Sequence, residues 1–184
     1  LTGDEKIMFL CSPHNPGGRV WSAEELRNVA LFCETHDIIL VSDEVHHDLI
    51  MPGHSHTILA KVAPEISHRL ITLVATSKTF NIAGIETGSM LIPDPALRQR
   101  VARVRHAMNI SNNRFGMLMA EAAYRGGEDW LDALLVYLKA NRDYMDARMA
   151  ADLPGATSVK VDATFLGWLD FTGTGMDQAE IDRK

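Results

Sequence analysis

The sequence has little of several features that would assign a protein class by composition alone. It contains only two cysteines, Cys11 and Cys33, in 184 residues. That scarcity argues against a disulfide-rich secreted domain and favours reduced thiols in a cytoplasmic protein. Basic residues are not in excess, and a net charge of -6 argues against nucleic acid as a partner. No apolar run reaches the roughly 20 residues of a transmembrane helix, so no membrane partner is expected.

The remaining composition is that of an ordinary soluble protein, with 46% hydrophobic and 23% charged residues. The first six residues do not resemble a signal peptide. Leu1 is not an initiator methionine, and residues 176–181 have the pattern of a helix that opens close to the last residue. We therefore expect the chain to be an internal part of a longer protein.

Short apolar runs separated by helical patterns occupy the first half of the chain. They predict strands at residues 6–11, 38–41, 69–75 and 88–92. A capping box, Ser22-Ala23-Glu24-Glu25, opens a helix that is expected to end near His36. Strand, helix and strand at these lengths form a βαβ unit, which requires a parallel pair. Because the strands are continuously apolar, both faces of the sheet should be covered. The prediction is an α/β fold.

The second half of the chain is predicted to be mainly helical. Asp94-Pro95 should open a helix that reaches about Met108, and further helices are expected at 114–124 and 129–152. After Pro154-Gly155, strands are expected near 158–161 and 165–171. The composition shift predicts three parts. Residues 1–128 belong to a large domain, 129–153 form a long connecting helix, and 154–184 begin a smaller C-terminal domain.

Lys78 has the most unusual setting of any residue in the chain. It lies in the sequence TSKTFNIAG, which starts at Thr76 and directly follows the apolar run 70–74. A lysine held in such a turn and partly desolvated can react with an aldehyde to form a Schiff base. The hydroxyls of Thr76 and Ser77 could donate to a phosphate. The alternative is a lysine whose amine extends from the strand end to solvent.

Two further polar segments follow apolar runs, at residues 13–18 and 42–48. A buried Asp43 would need a cationic partner, and a protonated pyridine nitrogen is one that would also make the ring an electron sink. Asn15 precedes a proline and is held extended, so its amide could be aimed at a ring hydroxyl. The alternatives are a helix cap for Asp43 and a plain turn for Asn15.

The three residues should meet in space, because ligands bind at the carboxyl ends of strands in an open α/β sheet. Asn15, Asp43 and Lys78 each fall just past such an end. Together they predict a site for pyridoxal 5'-phosphate (PLP).

Other cofactor classes fit the sequence less well. A histidine and acid cluster invites a metal interpretation, but its spacing matches no standard zinc pattern, so no metal is predicted; its members are Asp43, His46, His47, Asp48, His54 and His56. There is no Walker-type phosphate loop, so nucleotide hydrolysis has no support.

Three motifs carry a family resemblance: Asn-Pro-Gly-Gly at 15–18, Ser-Asp-Glu-Val-His at 42–46 and Ser-Lys-Thr-Phe-Asn-Ile-Ala-Gly at 77–84. In this order and spacing they resemble those of the fold type I PLP-dependent enzymes in the class I/II aminotransferase superfamily. Residues 13–21, 43–48 and 164–170 are most similar to the cystathionine β-lyase (C–S lyase) branch of the MalY/PatB type. The resemblance implies a mixed, mostly parallel sheet flanked by helices, followed by part of a smaller α+β C-terminal domain. It also implies a homodimer.

The resemblance also implies roles for individual residues. Lys78 would be the catalytic lysine that carries PLP, and Asp43 would pair with the pyridine nitrogen. Asn15 would contact the ring hydroxyl, and His46 stands where many aminotransferases have a tyrosine that reaches the same hydroxyl. Two positions depart from the family pattern. Glu86 replaces a common phosphate-binding arginine, and Cys11 replaces a more usual asparagine.

The function implied by the resemblance is α,β-elimination from a sulfur amino acid such as cystathionine, giving a thiol, pyruvate and ammonia. An aminotransferase is the first alternative, and a non-catalytic regulatory protein of the same fold is the second. A metal-binding protein that uses the histidines is a third. The substrate-carboxylate arginine and the ring-stacking aromatic residue are expected outside residues 1–184.

Overall fold

The main sheet has four strands in a computed structural model that describes residues 2–183. Its four strands follow chain order: β1 (Ile7–Cys11), β2 (Ile39–Asp43), β3 (Leu70–Val74) and β4 (Ser89–Leu91). The first three strands are parallel, and β4 runs antiparallel to β3. The predicted α/β fold with a mixed, mostly parallel sheet is therefore confirmed.

One face of the sheet is covered by α1 (Ala23–Thr35), which begins at the predicted capping box. The Ser22 hydroxyl accepts from the Glu25 backbone N–H, and the Glu25 carboxylate accepts from the Ser22 N–H. The helix buries one apolar stripe against the sheet, as its spacing requires. The core on this face contains Leu10, Leu26, Ala30, Cys33, Ile38, Leu40, Leu59, Ala63, Ile66 and Leu70.

Short helices connect the second and third strands and follow the third. A helix, α2 (Leu59–Val62), and a 3₁₀ helix at Pro64–Arg69 lead into β3. After β3 the sequence predicts a polar turn. The structure instead has one helical turn, α3 (Thr76–Thr79), and then a 3₁₀ helix at Ala83–Ile85. Lys78 therefore lies in a helical turn rather than in a loop.

Three longer helices follow the sheet, close to their predicted positions. They are α4 (Pro95–Ala107), α5 (Arg114–Gly126) and α6 (Glu128–Asp152). Asp94 caps α4 by accepting a 2.7 Å hydrogen bond from the Leu97 N–H, as its position before a proline predicts. Within residues 2–183, none of the helices combines the length and the apolar character needed to cross a bilayer.

The two C-terminal strands are much shorter than predicted. The structure has β5 (Thr157–Ser158) and β6 (Leu169–Asp170), paired antiparallel, and then a short helix, α7 (Gln178–Ile181). Residues 159–168 do not continue either strand. Thr164 has a left-handed backbone, φ 75°, and neighbouring N–H groups bond to distant loops, so a continuous ladder cannot form there.

These backbone bonds attach the C-terminal segment to loops that follow the first two strands. The N–H groups of Asp162 and Ala163 both donate to the Gly18 carbonyl, at 2.7 and 2.9 Å. The Thr164 N–H donates to the Leu49 carbonyl at 2.7 Å. The segment is thus held beside the polar edge of the sheet. The division into parts at residues 128 and 153 stays a prediction.

Gly18 allows this contact, and its replacement by alanine should loosen it. Gly18 has φ 64°, and an added Cβ would lie 2.0 Å from the Val161 Cβ. We expect Gly18→Ala to lower the free energy of unfolding by about 3 kcal/mol, because left-handed strain and overpacking each cost about 1–3 kcal/mol. Urea denaturation measures the change.

Gly53→Ala is the matched control for this substitution. Gly53 also has a positive φ, 93°, but an added Cβ meets no heavy atom within 4 Å. It should lose only the backbone term, about 1–2 kcal/mol. Equal losses in the two variants would contradict the proposed role of the Gly18–Val161 contact.

Candidate active site

The carboxyl ends of the three parallel strands meet at one edge of the sheet. The pairing register places Cys11 beside Asp43 and Asp43 beside Leu73. The segments that follow these strands therefore leave the sheet side by side. They carry the predicted site residues, which the structure gathers at this edge: Asn15, Asp43, His46, Thr76, Ser77 and Lys78.

Asp43 is the last residue of β2 rather than a residue just past it. Its backbone carbonyl accepts from the Ser12 N–H at 2.9 Å, and the next N–H, from Glu44, donates to the Leu73 carbonyl at 2.9 Å. The side-chain oxygen Oδ1 accepts from the Val45 N–H at 3.2 Å. These contacts fix the half-buried carboxylate at the sheet edge.

His46 is the most deeply buried of the predicted site residues, with 1% of its surface exposed. Its Nε2 lies 3.2 Å from the Asn15 amide nitrogen Nδ2. An amide nitrogen can only donate, so Nε2 accepts and the ring proton of a neutral His46 sits on Nδ1. That nitrogen is buried and has no hydrogen-bond partner among the described residues. The structure thus joins Asn15 to His46 and leaves one ring N–H available.

The charge of His46 is controlled by burial and by its neighbours. Burial lowers the pKa of His46, the nearby Lys78 cation lowers it further, and Asp43 acts in the opposite direction. The result is a pKa below the ordinary histidine range. The imidazole is therefore neutral at pH 7 and can donate from Nδ1 to an acceptor.

A pH dependence of stability follows from this lowered pKa. As pH falls below about 6.5, the ordinary histidine value, the unfolded chain takes up a proton that folded His46 does not. Stability is therefore lost until pH reaches the lower folded-state value. We expect His46→Gln to reduce the loss of unfolding free energy between pH 7.5 and 5.5, by at most about 1.4 kcal/mol per pH unit.

The measurement is urea denaturation at several pH values, with His106→Gln as the control. His106 is an exposed histidine in the last turn of α4, so its removal changes the histidine count without changing the sheet edge. If unfolding free energy varies with pH in the same way in His46→Gln and in the unsubstituted protein, His46 does not contribute to the pH dependence of stability.

Lys78 lies two residues after a buried hydroxyl. Thr76 is 2% exposed, and its Oγ1 has no hydrogen-bond partner among residues 2–183. The same is true of the buried Ser12 Oγ on the segment that follows β1. Ser77 and Lys78 are half-buried. The edge of the sheet therefore offers one amine and several hydroxyls that could bind an acceptor-rich group.

Two residues near the site were missed from the sequence. The Phe165 ring lies against His46, with ring centroids 5.5 Å apart, and it comes from the docked C-terminal segment. Glu44, directly after Asp43, is 2% exposed and contacts His56 at 2.8 Å. Both residues lie within motifs that carry the family resemblance, 43–48 and 164–170, but neither was predicted to lie at the site. The acidic side chain of Glu44 beside Asp43 was a signal that could have indicated it, whereas the contact of Phe165 with His46 depends on how the C-terminal segment docks.

The histidines of this region are engaged by other groups. His47 Nδ1 lies 2.7 Å from the Glu44 carbonyl, and His56 Nε2 contacts the Glu44 carboxylate. In the part of the chain that the structure describes, no three histidine, cysteine or acidic residues are arranged to hold a metal ion.

Glu86, which replaces the common phosphate-binding arginine, is exposed and has a left-handed backbone with φ 47°.

Over residues 2–181 the chain matches the model of the family described as aminotransferase class I and II. It belongs to this family. Among curated relatives, the cystathionine beta-lyase PatB of Bacillus subtilis (strain 168) is 38% identical over 184 residues, which is 97% of this chain and 46% of PatB. The resemblance to cystathionine β-lyases that the motifs indicated is thus confirmed.

Solved structures agree with this placement. A PLP-bound putative aminotransferase from Clostridium difficile 630 superposes with a TM-score of 0.93 and 35% identity, over 98% of this chain and 47% of that one. Cystalysin from Treponema denticola, which contains PLP, gives 0.92 and 33%, over 97% and 45%. The fold type I architecture is therefore confirmed. The chain spans a little less than half the length of these family members.

Proposed function

We propose that the protein carrying this chain is a PLP-dependent carbon–sulfur β-lyase. The proposed reaction converts a sulfur amino acid of the cystathionine type and water into a thiol, pyruvate and ammonia. The observation that carries the proposal is the convergence of Lys78, Asp43 and the Asn15–His46 pair on one sheet edge. The similarity to PatB and to PLP-containing cystalysin supports the same function.

The residues present fit PLP chemically. Thr76 Oγ1, Ser12 Oγ and His46 Nδ1 are buried groups without partners among the described residues. Each such group costs about 1–3 kcal/mol when it stays unsatisfied, so the site suits a ligand rich in acceptors. A phosphate and a phenolic oxygen are acceptors of this kind. The Asp43 carboxylate and the Lys78 amine complement a pyridine nitrogen and an aldehyde.

Each residue would then have a separate task. When bound, PLP supplies an electron sink for the charge that develops at the substrate α-carbon. Lys78 would hold the aldehyde carbon and, once displaced by substrate, would remove the α-proton. Asp43 would keep a proton on the pyridine nitrogen. Asn15 and His46 would orient the ring through its oxygen, and Thr76 and Ser77 would donate to the phosphate.

Elimination is favoured over transamination by the residue three positions after Asp43. There the chain has His46, whereas many aminotransferases have a tyrosine. The exposed Glu86 adds to this, because an acid cannot replace the phosphate-binding arginine of many aminotransferases. Aminotransferase activity remains the alternative, and a regulatory protein without turnover is the next.

The decisive experiment is product analysis with cystathionine and purified PLP-loaded protein. Pyruvate, ammonia and thiol in equal amounts are the expected products. A keto acid with pyridoxamine phosphate would identify an aminotransferase instead. Bound PLP with neither set of products would support the regulatory alternative. Borohydride reduction followed by peptide mass spectrometry should place the label on Lys78, and a label on another lysine would reject the assignment.

We also propose that the protein is a homodimer in the cytoplasm. Four large apolar residues of α5 are substantially exposed and could pack against a second copy: Phe115, Met117, Leu118 and Met119. Cys11 and Cys33 are both free thiols, which agrees with a reducing compartment. Sedimentation equilibrium tests the dimer.

A further inference from the structure

The residue after Lys78 links the lysine's helical turn to the loop that follows Asp43. Thr79 is fully buried, at 0% exposure. Its hydroxyl donates to Asp48 Oδ2 at 2.9 Å. A buried hydroxyl needs a partner, and an ionised carboxylate makes the stronger kind of hydrogen bond. This bond therefore restrains the turn that carries Lys78.

The other oxygen of Asp48 continues the connection toward the strand. Asp48 Oδ1 lies 3.3 Å from His47 Nε2, and His47 Nδ1 lies 2.7 Å from the Glu44 carbonyl. Both ring nitrogens of His47 thus face oxygen acceptors. This series of contacts, from Thr79 through Asp48 and His47, ends at Glu44, the residue next to Asp43.

The Glu44 side chain is held in place by several buried contacts. Its Oε1 accepts from the Ser42 hydroxyl at 2.9 Å and from the Leu59 N–H at 3.3 Å. Its Oε2 lies 2.8 Å from His56 Nε2. With 2% of Glu44 exposed and each carboxylate oxygen engaged, its side chain cannot easily shift.

A third element also faces Asp48. Tyr124 on α5 is partly removed from water, which raises its pKa, and the negative charge of Asp48 raises that pKa further. The Tyr124 ring packs edge-on against Phe80, with centroids 6.1 Å apart, and Phe80 is the C-cap of the lysine's turn. Asp48 therefore lies where the turn, the loop and α5 meet.

We propose that Asp48 is a positioning residue, which sets the placement of Lys78 relative to Asp43 by holding Thr79. The inference rests on the proposed function, because it concerns the approach of the Lys78 amine to PLP. A reacting group displaced by about 1 Å can lose on the order of 100-fold in rate. The Thr79–Asp48 hydrogen bond should therefore affect covalent attachment of the cofactor more than its binding.

The test compares two quantities in the complete protein: PLP bound at equilibrium, by dialysis, and the rate at which PLP becomes fixable on Lys78 by borohydride. We expect Thr79→Val and Asp48→Ala each to slow fixation about 10-fold, as a partial displacement of the amine would. Binding should change by less than about 3-fold, since the phosphate and ring contacts remain.

Controls separate positioning from general loosening of the fold. Thr79→Ser keeps the hydroxyl and should fix PLP within about 2-fold of the unsubstituted protein. Thr87→Val removes a buried hydroxyl that bonds the Ile85 carbonyl instead of Asp48, and it should leave fixation unchanged. Thr79→Val conserves volume, so it decides the question if Asp48→Ala does not fold.

The double variant Thr79→Val/Asp48→Ala tests whether the two residues act together. If they do, its loss should stay near 10-fold rather than multiply to about 100-fold. Unchanged fixation in Thr79→Val, or multiplied losses in the double variant, would overturn the inference. An unsubstituted protein in which no PLP is fixed on Lys78 would instead reject the proposed function.

Discussion

Replacing Lys78 by alanine is expected to lower kcat/KM for β-elimination by about 10⁴-fold. The variant loses the amine that would hold the cofactor and the base that would remove the α-proton, and general-base catalysis alone contributes about 10²–10⁴-fold. The rate of pyruvate formation from cystathionine measures the effect. The free energy of unfolding should change little, because Lys78 is only half-buried.

Lys61→Ala is the control for this prediction. Lys61 is an exposed lysine in the short helix α2, so it tests whether the loss of any lysine harms the protein. It should retain full activity and full PLP content. A Lys78→Ala enzyme within 10-fold of the unsubstituted rate, a small part of the contribution expected of a general base, would show that the amine is not the base.

Replacing Asp43 by asparagine should lower the same rate by about 10²–10³-fold, the range seen when one group that stabilises transition-state charge is removed. Asparagine keeps the size of the side chain and an oxygen for the Val45 N–H, which lies 3.2 Å from Asp43 Oδ1. It loses the negative charge that would keep the pyridine nitrogen protonated. The loss should appear in kcat, with PLP still bound.

This substitution distinguishes the two interpretations of Asp43. If Asp43 serves only to cap the following turn, asparagine is an equally good cap, and activity should persist. Asp37→Asn is the control, since Asp37 is an exposed acid paired with Arg69 at 3.0 Å. A full rate in Asp43→Asn would leave the capping role as the sufficient explanation.

Most of the sheet and the long helices were predictable because their signals are local. A capping box such as that at Ser22 acts within a few residues, and continuous apolar runs mark buried strands wherever they occur. The C-terminal strands were wrong in extent for the converse reason. The N–H groups of Asp162 and Thr164 bond to loops far away in the chain, and no local pattern reports that.

The candidate site was predictable in its residue types and less so in its contacts. Polar turns after apolar strands, together with the family motifs, indicated Asn15, Asp43 and Lys78. The Asn15–His46 pair and the Thr79–Asp48 bond each join residues 31 positions apart. Such partners are set by strand register and loop conformation, which the sequence pattern does not give.

By itself, the sequence determined which chemical groups stand at the carboxyl ends of the three parallel strands, because a polar segment follows each apolar run there. Only the tertiary structure decided which of those groups touch. It made His46 a buried neutral ring beside Asn15 and Phe165, and it tied the turn of Lys78 to Asp48. The reason is physical: side-chain pairing depends on distances across a folded sheet edge, and those distances arise only when the strands are in register.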